Sequence, residues 1–124
     1  MPKARASTWK QFERMALELP GVEAATSFGT PALKVTGKLL ARLREDGIVV
    51  LKPVEDDEQR FLMDTQPDAF FLTDHYRGYP CILIRLPNVD RVQLADLVEQ
   101  CWRRLASKKL LAAHDGAKRS RAVH

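Results

Sequence analysis

Residues 73–80, with the sequence T-D-H-Y-R-G-Y-P, contain the side-chain types that acid–base chemistry uses: a carboxylate, an imidazole, a guanidinium and two phenols. If Asp74 oriented His75, the imidazole could act as a general base while Arg77 held an anion. However, adjacent residues of an extended chain or a turn point in different directions, and no motif places a serine or cysteine nucleophile. We therefore keep catalysis only as an alternative and name no catalytic residue.

The same segment fits two other interpretations. It can be a plain hairpin loop, in which Gly78 takes an unusual backbone angle and Tyr76 and Tyr79 pack on the edge of a sheet. It can also be a binding loop, because aromatic rings that alternate with His75 and Arg77 suit both phosphate groups and base faces. Both interpretations depend on the elements around the segment.

Strands are predicted on both sides of this segment. Two apolar runs, residues 69–73 and 81–86, flank it directly and read as strands. Between Glu23 and Pro53 the hydrophobic period shortens towards two and is interrupted by turn residues, which predicts three or four antiparallel strands. The first half of the chain is therefore expected to consist mainly of hairpins.

The Asp46-Gly47 pair sets the register of one of these hairpins. A two-residue turn there would place Arg44 beside Val49 on one face. A three-residue loop at 45–47, with Gly47 in a left-handed bulge, aligns apolar residues instead and is preferred, because a one-residue slip flips every side chain to the other face. The apolar face then carries Leu39, Ala41, Leu43, Val49 and Leu51. The opposite face, which we call the cationic hairpin face, carries Lys34, Lys38, Leu40, Arg42, Arg44, Ile48, Val50 and Lys52.

Cations on one face of an antiparallel sheet are the ordinary result of exposure to water. The apolar residues among them indicate that this face is partly covered, either by a helix or by a ligand.

Three helices are predicted from their N-terminal signals. The capping-box spacing of Thr8 and Gln11 opens the first helix. The acidic residues at 55–58 interact favourably with the helix dipole and mark the start of the second helix. Asp90 caps the third, whose apolar stripe runs to Leu105. Residues 1–113 are expected to form a single domain, and the basic residues 114–124 a disordered tail.

The net charge of +4 is unevenly distributed. Between Arg103 and His124 seven cations face one anion, a net +6, so the first 102 residues sum to −2. Because salt screens exposed charges beyond about 8 to 10 Å, attraction to phosphate must come from local patches or from the tail.

Several protein classes are excluded by what the sequence lacks. Two cysteines are too few for a disulfide framework or a four-ligand zinc site. The three histidines are far apart, and the acidic run at 55–58 lacks the ligand pattern of a calcium loop. No apolar run of about 18 residues is present to cross a membrane, and no export signal opens the chain. We expect a cytoplasmic protein without a metal site.

Five segments, in order, carry a resemblance to a known family. They are L-P-G-V-E at 19–23, S-F-G-T-P-A-L-K-V at 27–35, L-L-A-R-L-R-E-D-G at 39–47, F-L-T-D-H-Y-R-G-Y-P at 71–80 and W-R-R-L-A-S-K-K-L at 102–110. Over residues 8–112 the chain resembles the MmcQ/YjbR family. The resemblance implies an α+β domain with a CyaY-like (frataxin-like) fold, in which a twisted antiparallel sheet has its helices on one side.

The resemblance also implies a function. The family is described as DNA-binding, with a double-wing surface, and it implies no cofactor. A frataxin-like role in iron binding is disfavoured, because that role uses an acidic first helix, whereas here two acids face two cations: Glu13, Glu18, Lys10 and Arg14.

We therefore predict a small cytoplasmic DNA-binding domain. Its phosphate contacts are expected from the cationic hairpin face, the 75–79 loop and the last helical segment, namely Lys34, Lys38, Arg42, Arg44, Lys52, His75, Tyr76, Arg77, Tyr79, Lys108 and Lys109. The alternative is a protein-interaction or small-ligand module on the same sheet, without catalysis. A basic patch without a deep pocket would favour nucleic acid, whereas a closed apolar pocket lined by Phe28, Tyr76 and Tyr79 would favour a ligand.

Overall fold

The computed structural model describes residues 8–45 and 47–122, with side chains described as far as Gly116. The helices are α1 (Trp9–Leu17), α2 (Asp56–Thr65), α3 (Arg91–Leu105) and α4 (Lys108–Ala122). The strands are β1 (Val22–Ser27), β2 (Thr30–Val35), β3 (Lys38–Glu45), β4 (Ile48–Leu51), β5 (Phe70–Phe71) and β6 (Ile82–Arg85). Asp46, which belongs to the predicted hairpin loop, lies outside the described residues, as do the last two residues of the predicted tail.

The strands form one antiparallel sheet in the order β1-β2-β3-β4-β6-β5. Together with the helices, this sheet confirms the predicted α+β class. The N-terminal caps are confirmed as well: Thr8 and Gln11 exchange both capping-box hydrogen bonds, and the Asp90 carboxylate accepts from the amides of Val92 and Gln93. Local signals therefore define where α1 and α3 begin.

One face of the sheet, which we call the core face, packs against the helices. Apolar residues from α1, α2 and α3 meet it in a single cluster that includes Phe12, Leu62 and Trp102. The indole of Trp102 is fully buried, and its Nε1 donates to the carbonyl oxygen of Pro20 at 2.8 Å. Cys101 lies buried in the same cluster, on the apolar stripe of α3. The helices therefore cover this face completely enough to bury a tryptophan.

The other face of the sheet, which we call the open face, carries a smaller apolar cluster. Val50, Cys81 and Leu83 are buried there, and Tyr76 packs against them from the segment between β5 and β6. This face is thus partly covered, as its apolar residues indicated, but the chain's own 72–80 segment provides the cover.

A β-bulge in β3 corrects the predicted assignment of residues to the two faces. Leu33 pairs with Ala41 and Lys34 pairs with Leu39, so Leu40 is the extra residue on β3. Leu40 is fully buried in the core cluster beside Ala41, whereas Leu39 is half-buried on the open face. The prediction that put Leu39 on the core face and Leu40 on the cationic hairpin face was therefore wrong. A bulge lets two consecutive residues point to the same side.

The same bulge moves Lys38 off the cationic hairpin face. Lys38 pairs directly with Val35, a buried core residue. Directly opposed residues of an antiparallel pair share a face. The exposed Lys38 side chain therefore belongs to the core side of the sheet, away from Arg42.

At the next hairpin the predicted register is confirmed. Leu43 pairs with Val49, and Gly47 has a φ of +75°. The irregularity, however, lies one residue earlier than predicted, because Glu45 still pairs with Ile48 and leaves Arg44 as the extra residue. Leu43 is only half-buried, although it packs against the core.

Helix α4 corrects the predicted tail. The chain is helical from Lys108 to Ala122, where a disordered segment was expected from residue 114 onwards. Tertiary contacts explain the helix: Asp115 accepts from Arg103 at 2.7 Å, and the His114 ring meets Trp102 edge to face. Leu110 packs on Gly21 so closely that a Cβ there would lie 2.7 Å from it. Packing against the domain therefore orders the first half of α4.

Candidate functional site

A cleft on the open face is the best candidate for a functional site. It has a volume of about 260 Å³ and is partly open to solvent. The 75–81 segment, strands β3 and β4, and the turn between β1 and β2 provide its walls. The residues that line it are Phe28, Leu39, Arg42, Val50, Lys52, His75, Tyr76, Tyr79, Pro80 and Cys81.

Exposed aromatic rings stand at the edge of this cleft. Phe28, in the turn between β1 and β2, is 91% exposed, and Tyr79 is 60% exposed. Phe28 also has a φ of +53°, in the left-handed region that bulky residues avoid at a cost of about 1 to 2 kcal/mol. An apolar ring that is both exposed and held in unfavourable backbone contributes little to folding. Such a residue is typical of a binding surface.

Arg42 connects the two sides of the cleft. Its guanidinium lies 5.4 Å from the centroid of the Phe28 ring, and it donates a hydrogen bond to the hydroxyl of Tyr76. Because Arg42 comes from β3, a central strand, it is held on a rigid element. The cation is therefore positioned between two aromatic side chains before any ligand arrives.

The charge of the cleft is positive. Arg42 and Lys52 contribute permanent cations, His75 adds an imidazole, and none of the ten lining residues is a carboxylate. Burial raises the pKa of the Cys81 thiol, while the nearby Lys52 ammonium opposes part of that rise. The cleft therefore combines an apolar floor with a field that attracts anions.

Gln59 on α2 anchors the segment that forms one wall. Its side chain is buried, and its Nε2 donates at 2.7 Å to the carbonyl oxygens of both Tyr79 and Cys81. The amide of Val54 adds a hydrogen bond to the oxygen of Pro80. Sequence reasoning missed Gln59, because a glutamine in the first turns of an acidic helix looks like any solvent-facing residue.

Of the eleven predicted contact residues, the structure brings five together in the cleft: Arg42, Lys52, His75, Tyr76 and Tyr79. Lys34 lies next to them, because it pairs across the sheet with the lining residue Leu39. From the sequence, Phe28 was placed only in the small-ligand alternative, and Pro80 and Cys81 were not predicted as site residues. The sequence therefore identified the charged and aromatic part of the cleft but not its floor.

The remaining predicted residues are separated from the cleft or engaged elsewhere. The guanidinium of Arg44 pairs with Glu45, and Arg77 pairs with Asp74 at 3.0 Å. Lys38 lies on the core side of the sheet, as described above. Lys108 and Lys109 open α4, which packs on the helical layer through Leu110 and Leu111. Among the residues whose side chains the structure describes, the predicted cations thus form a compact site and not a long basic track.

The acid–base dyad left open by the sequence does not form in this geometry. The Asp74 carboxylate pairs with Arg77 and is 98% exposed, while His75 packs edge to face on Tyr76. Across residues 8–45 and 47–122, no group of three or more His, Cys, Asp or Glu side chains is arranged to hold a metal ion. No helix in the described part of the chain is long and apolar enough to cross a membrane.

The fold and the cleft define a small α+β domain with an anion-attracting, aromatic-rimmed site on its sheet. A family model named YjbR matches residues 17–104, and the chain belongs to this family, as its resemblance predicted. No solved structure matches the chain significantly, so the CyaY-like description of the fold stays a prediction.

Three mycobacterial proteins are similar to part of the chain. They are the uncharacterized proteins Mb2600 of Mycobacterium bovis and MT2646 and Rv2570 of Mycobacterium tuberculosis. Each is 34% identical over 68 residues, which cover 54% of this chain and 53% of the relative. The match therefore spans about half the length of these curated relatives.

Proposed function

We propose that this protein binds DNA and that it does so by taking an unpaired nucleotide into the cleft on the open face. One observation carries the proposal: exposed aromatic rings and two permanent cations line a single cleft that contains no carboxylate. Aromatic rings bind bases by stacking, and cations bind the phosphate groups beside them. The proposal includes no catalytic step.

The aromatic residues support contact with bases. A base that stacks on Phe28 or Tyr79 would cover a ring that is now exposed to water. Such stacking is worth about 1 to 3 kcal/mol per base and is available only when the base is not paired inside a duplex. Single strands are therefore the preferred form.

The distribution of cations also favours an unpaired strand over a duplex. Duplex DNA presents a charge about every 1.7 Å along its axis, so proteins that bind it use many cations along one surface. Here Arg44 and Arg77 are paired with carboxylates, and Lys38 lies on the other side of the sheet. The concentrated site fits one nucleotide better than a long backbone.

A small anionic ligand, unconnected to nucleic acid, is the second candidate. The cleft has an apolar floor that includes Leu39, Val50 and Cys81, as small-molecule sites commonly do. Its volume of about 260 Å³ is slightly below the range of about 300 to 1,000 Å³ for drug-sized ligands. A compound with one ring system and one acidic group would fit.

Fluorescence anisotropy with labelled single-stranded and duplex DNA across a salt series tests the proposal. We expect the single strand to bind more tightly. Two cations at phosphates predict a slope of log K against log salt of about −1.4 for a single strand. If neither form binds at about 50 mM salt, where screening is weak, the DNA proposal is wrong and the small-ligand candidate remains.

A matched pair of variants locates the binding surface. Lys52→Gln removes a cation from the cleft, whereas Lys38→Gln removes one from the opposite side of the same sheet. We expect Lys52→Gln to weaken binding to the single strand and Lys38→Gln to leave it nearly unchanged. An equal loss in both variants would show that net charge, and not the cleft, drives binding.

Binding by the basic C-terminal residues needs a separate control. Deleting residues 114–124 would remove His114 and Asp115, which hold α4 against α3. Replacing Lys118, Arg119 and Arg121 by glutamine removes the same three cations without that loss. If this triple variant no longer binds DNA, the binding belongs to the C-terminal cations and not to the cleft.

We also propose the cytoplasm as the compartment of this protein. Cys81 and Cys101 are both free thiols, a state that a reducing compartment preserves.

A further inference from the structure

We infer that the cleft is built for a nucleotide that carries a phosphate monoester. This group occurs at a phosphorylated strand end and in a free nucleoside monophosphate. The inference rests on the proposed function, because it takes the base contact at Phe28 and Tyr79 as given. The inference adds the chemical class of phosphate group that the cations recognise.

The first argument is the match of charge. Arg42 and Lys52 line the cleft together, and no carboxylate lies among the lining residues to offset them. A phosphodiester inside a strand carries one negative charge, whereas a phosphate monoester carries about 1.5 to 2 at neutral pH. Two uncompensated cations in one cleft are therefore neutralised by a single monoester but not by a single diester.

The second argument is that two arginines beside the cleft are each neutralised by a carboxylate. Arg44, at the end of β3, pairs with Glu45, and Arg77, two residues before Tyr79, pairs with Asp74. Each ion pair adds no net charge beside the cleft. A strand that ran through the cleft would place its neighbouring phosphates outside it, where these arginines offer little attraction. The charge is thus concentrated where a terminal group would lie.

The third argument is the hydrogen-bonding state of Tyr76. Its hydroxyl accepts a hydrogen bond from Arg42, which leaves its own O–H proton free to donate into the cleft. A donor beside two cations suits an oxyanion with several acceptor oxygens. A monoester offers three such oxygens, whereas a diester offers two that are not esterified.

The test compares labelled single strands of one sequence that end in a 5′-phosphate, a 3′-phosphate or hydroxyl groups only. We expect one phosphorylated end to raise affinity about tenfold or more, because charge-assisted hydrogen bonds are the stronger ones. Lys52→Gln should remove most of this preference, and Lys38→Gln should keep it. Equal affinity for all three strands would overturn the inference and leave the proposed DNA binding intact.

Competition with free nucleotides distinguishes the two sources of the phosphate monoester, which are a phosphorylated strand end and a free nucleoside monophosphate. A nucleoside monophosphate should displace the phosphorylated strand, whereas the parent nucleoside should not. If the monophosphate binds in a Lys52-dependent manner while no strand binds, the monoester inference holds and the DNA proposal fails. If the nucleoside competes as well as its monophosphate, the phosphate is not recognised and the inference is wrong.

Discussion

Replacing Leu39 and Leu40 separately by alanine tests the β-bulge that determines which residues face the cleft. The two leucines are adjacent in β3, so the substitutions remove the same atoms from neighbouring positions. Leu40 is fully buried in the core cluster, whereas Leu39 is half-buried at the cleft. A strand without the bulge would place them the other way round.

The expected magnitudes follow from this burial. Truncating a fully buried leucine removes about three carbon groups at about 0.8 kcal/mol each and leaves a cavity, for a total of about 3 to 4 kcal/mol. Leu39 already contacts water, so its truncation should cost about 1 kcal/mol or less. For a domain of this size about 1 kcal/mol corresponds to about 3 to 5 °C in Tm. Leu40→Ala should therefore lower Tm by about 10 °C or more.

Thermal and urea unfolding, followed by circular dichroism, measure both effects. The slope m of the urea transition should stay constant, so that the shift in midpoint reports the change in the free energy of unfolding. For binding of single-stranded DNA we expect the reverse order: Leu39→Ala should weaken binding more than Leu40→Ala, because Leu39 lies in the floor of the cleft. If Leu39→Ala costs as much stability as Leu40→Ala, the bulge and the assignment of faces built on it are wrong.

Two further predictions concern buried polar groups. Gln59→Leu should lower the free energy of unfolding by about 1 to 3 kcal/mol, because it removes the side-chain donor to the buried carbonyl oxygen of Cys81, and it should speed amide hydrogen exchange at Tyr79 and Cys81. Gln100→Leu, at an exposed glutamine of α3, should do neither. Burial raises the pKa of the Cys101 thiol to about 12, so iodoacetamide at pH 8 should label it only when the protein unfolds. The thiol of the unfolded chain ionises near its ordinary pKa of 9.0. The stabilisation that this group gives the folded state is therefore fully present below that pH, and it should decline as pH rises towards 12. Fast labelling of the native Cys101 would contradict its burial.

Much of this fold is predictable from local signals. The capping residues of α1 and α3 satisfy backbone amides within one turn, so their sequence alone defines the helix starts. The register at Leu43 and Val49 follows from apolar matching between neighbouring strands. In each case the interaction that decides the structure lies within a few residues along the chain.

The features that sequence reasoning missed depend on distant contacts. In the Leu39-Leu40 pair either residue can face the core, and only the pairing with β2 decides between them. Helix α4 is held by Trp102 and Arg103, although its own residues show no strong apolar stripe. Gln59 is recognisable only after the Tyr79 oxygen has been brought to it from another element. A pattern confined to one segment contains none of this information.

The hydrogen bond between Trp102 and Pro20 has a consequence for synthesis on the ribosome. Its partners are 82 residues apart, so at about 5 to 20 residues per second Pro20 precedes Trp102 by about 4 to 16 s. During that time the first four strands can form hairpins, but their core face has no third helix to cover it. The core face therefore stays uncovered until α3 has been synthesised, and the nascent chain exposes an apolar sheet surface during that interval.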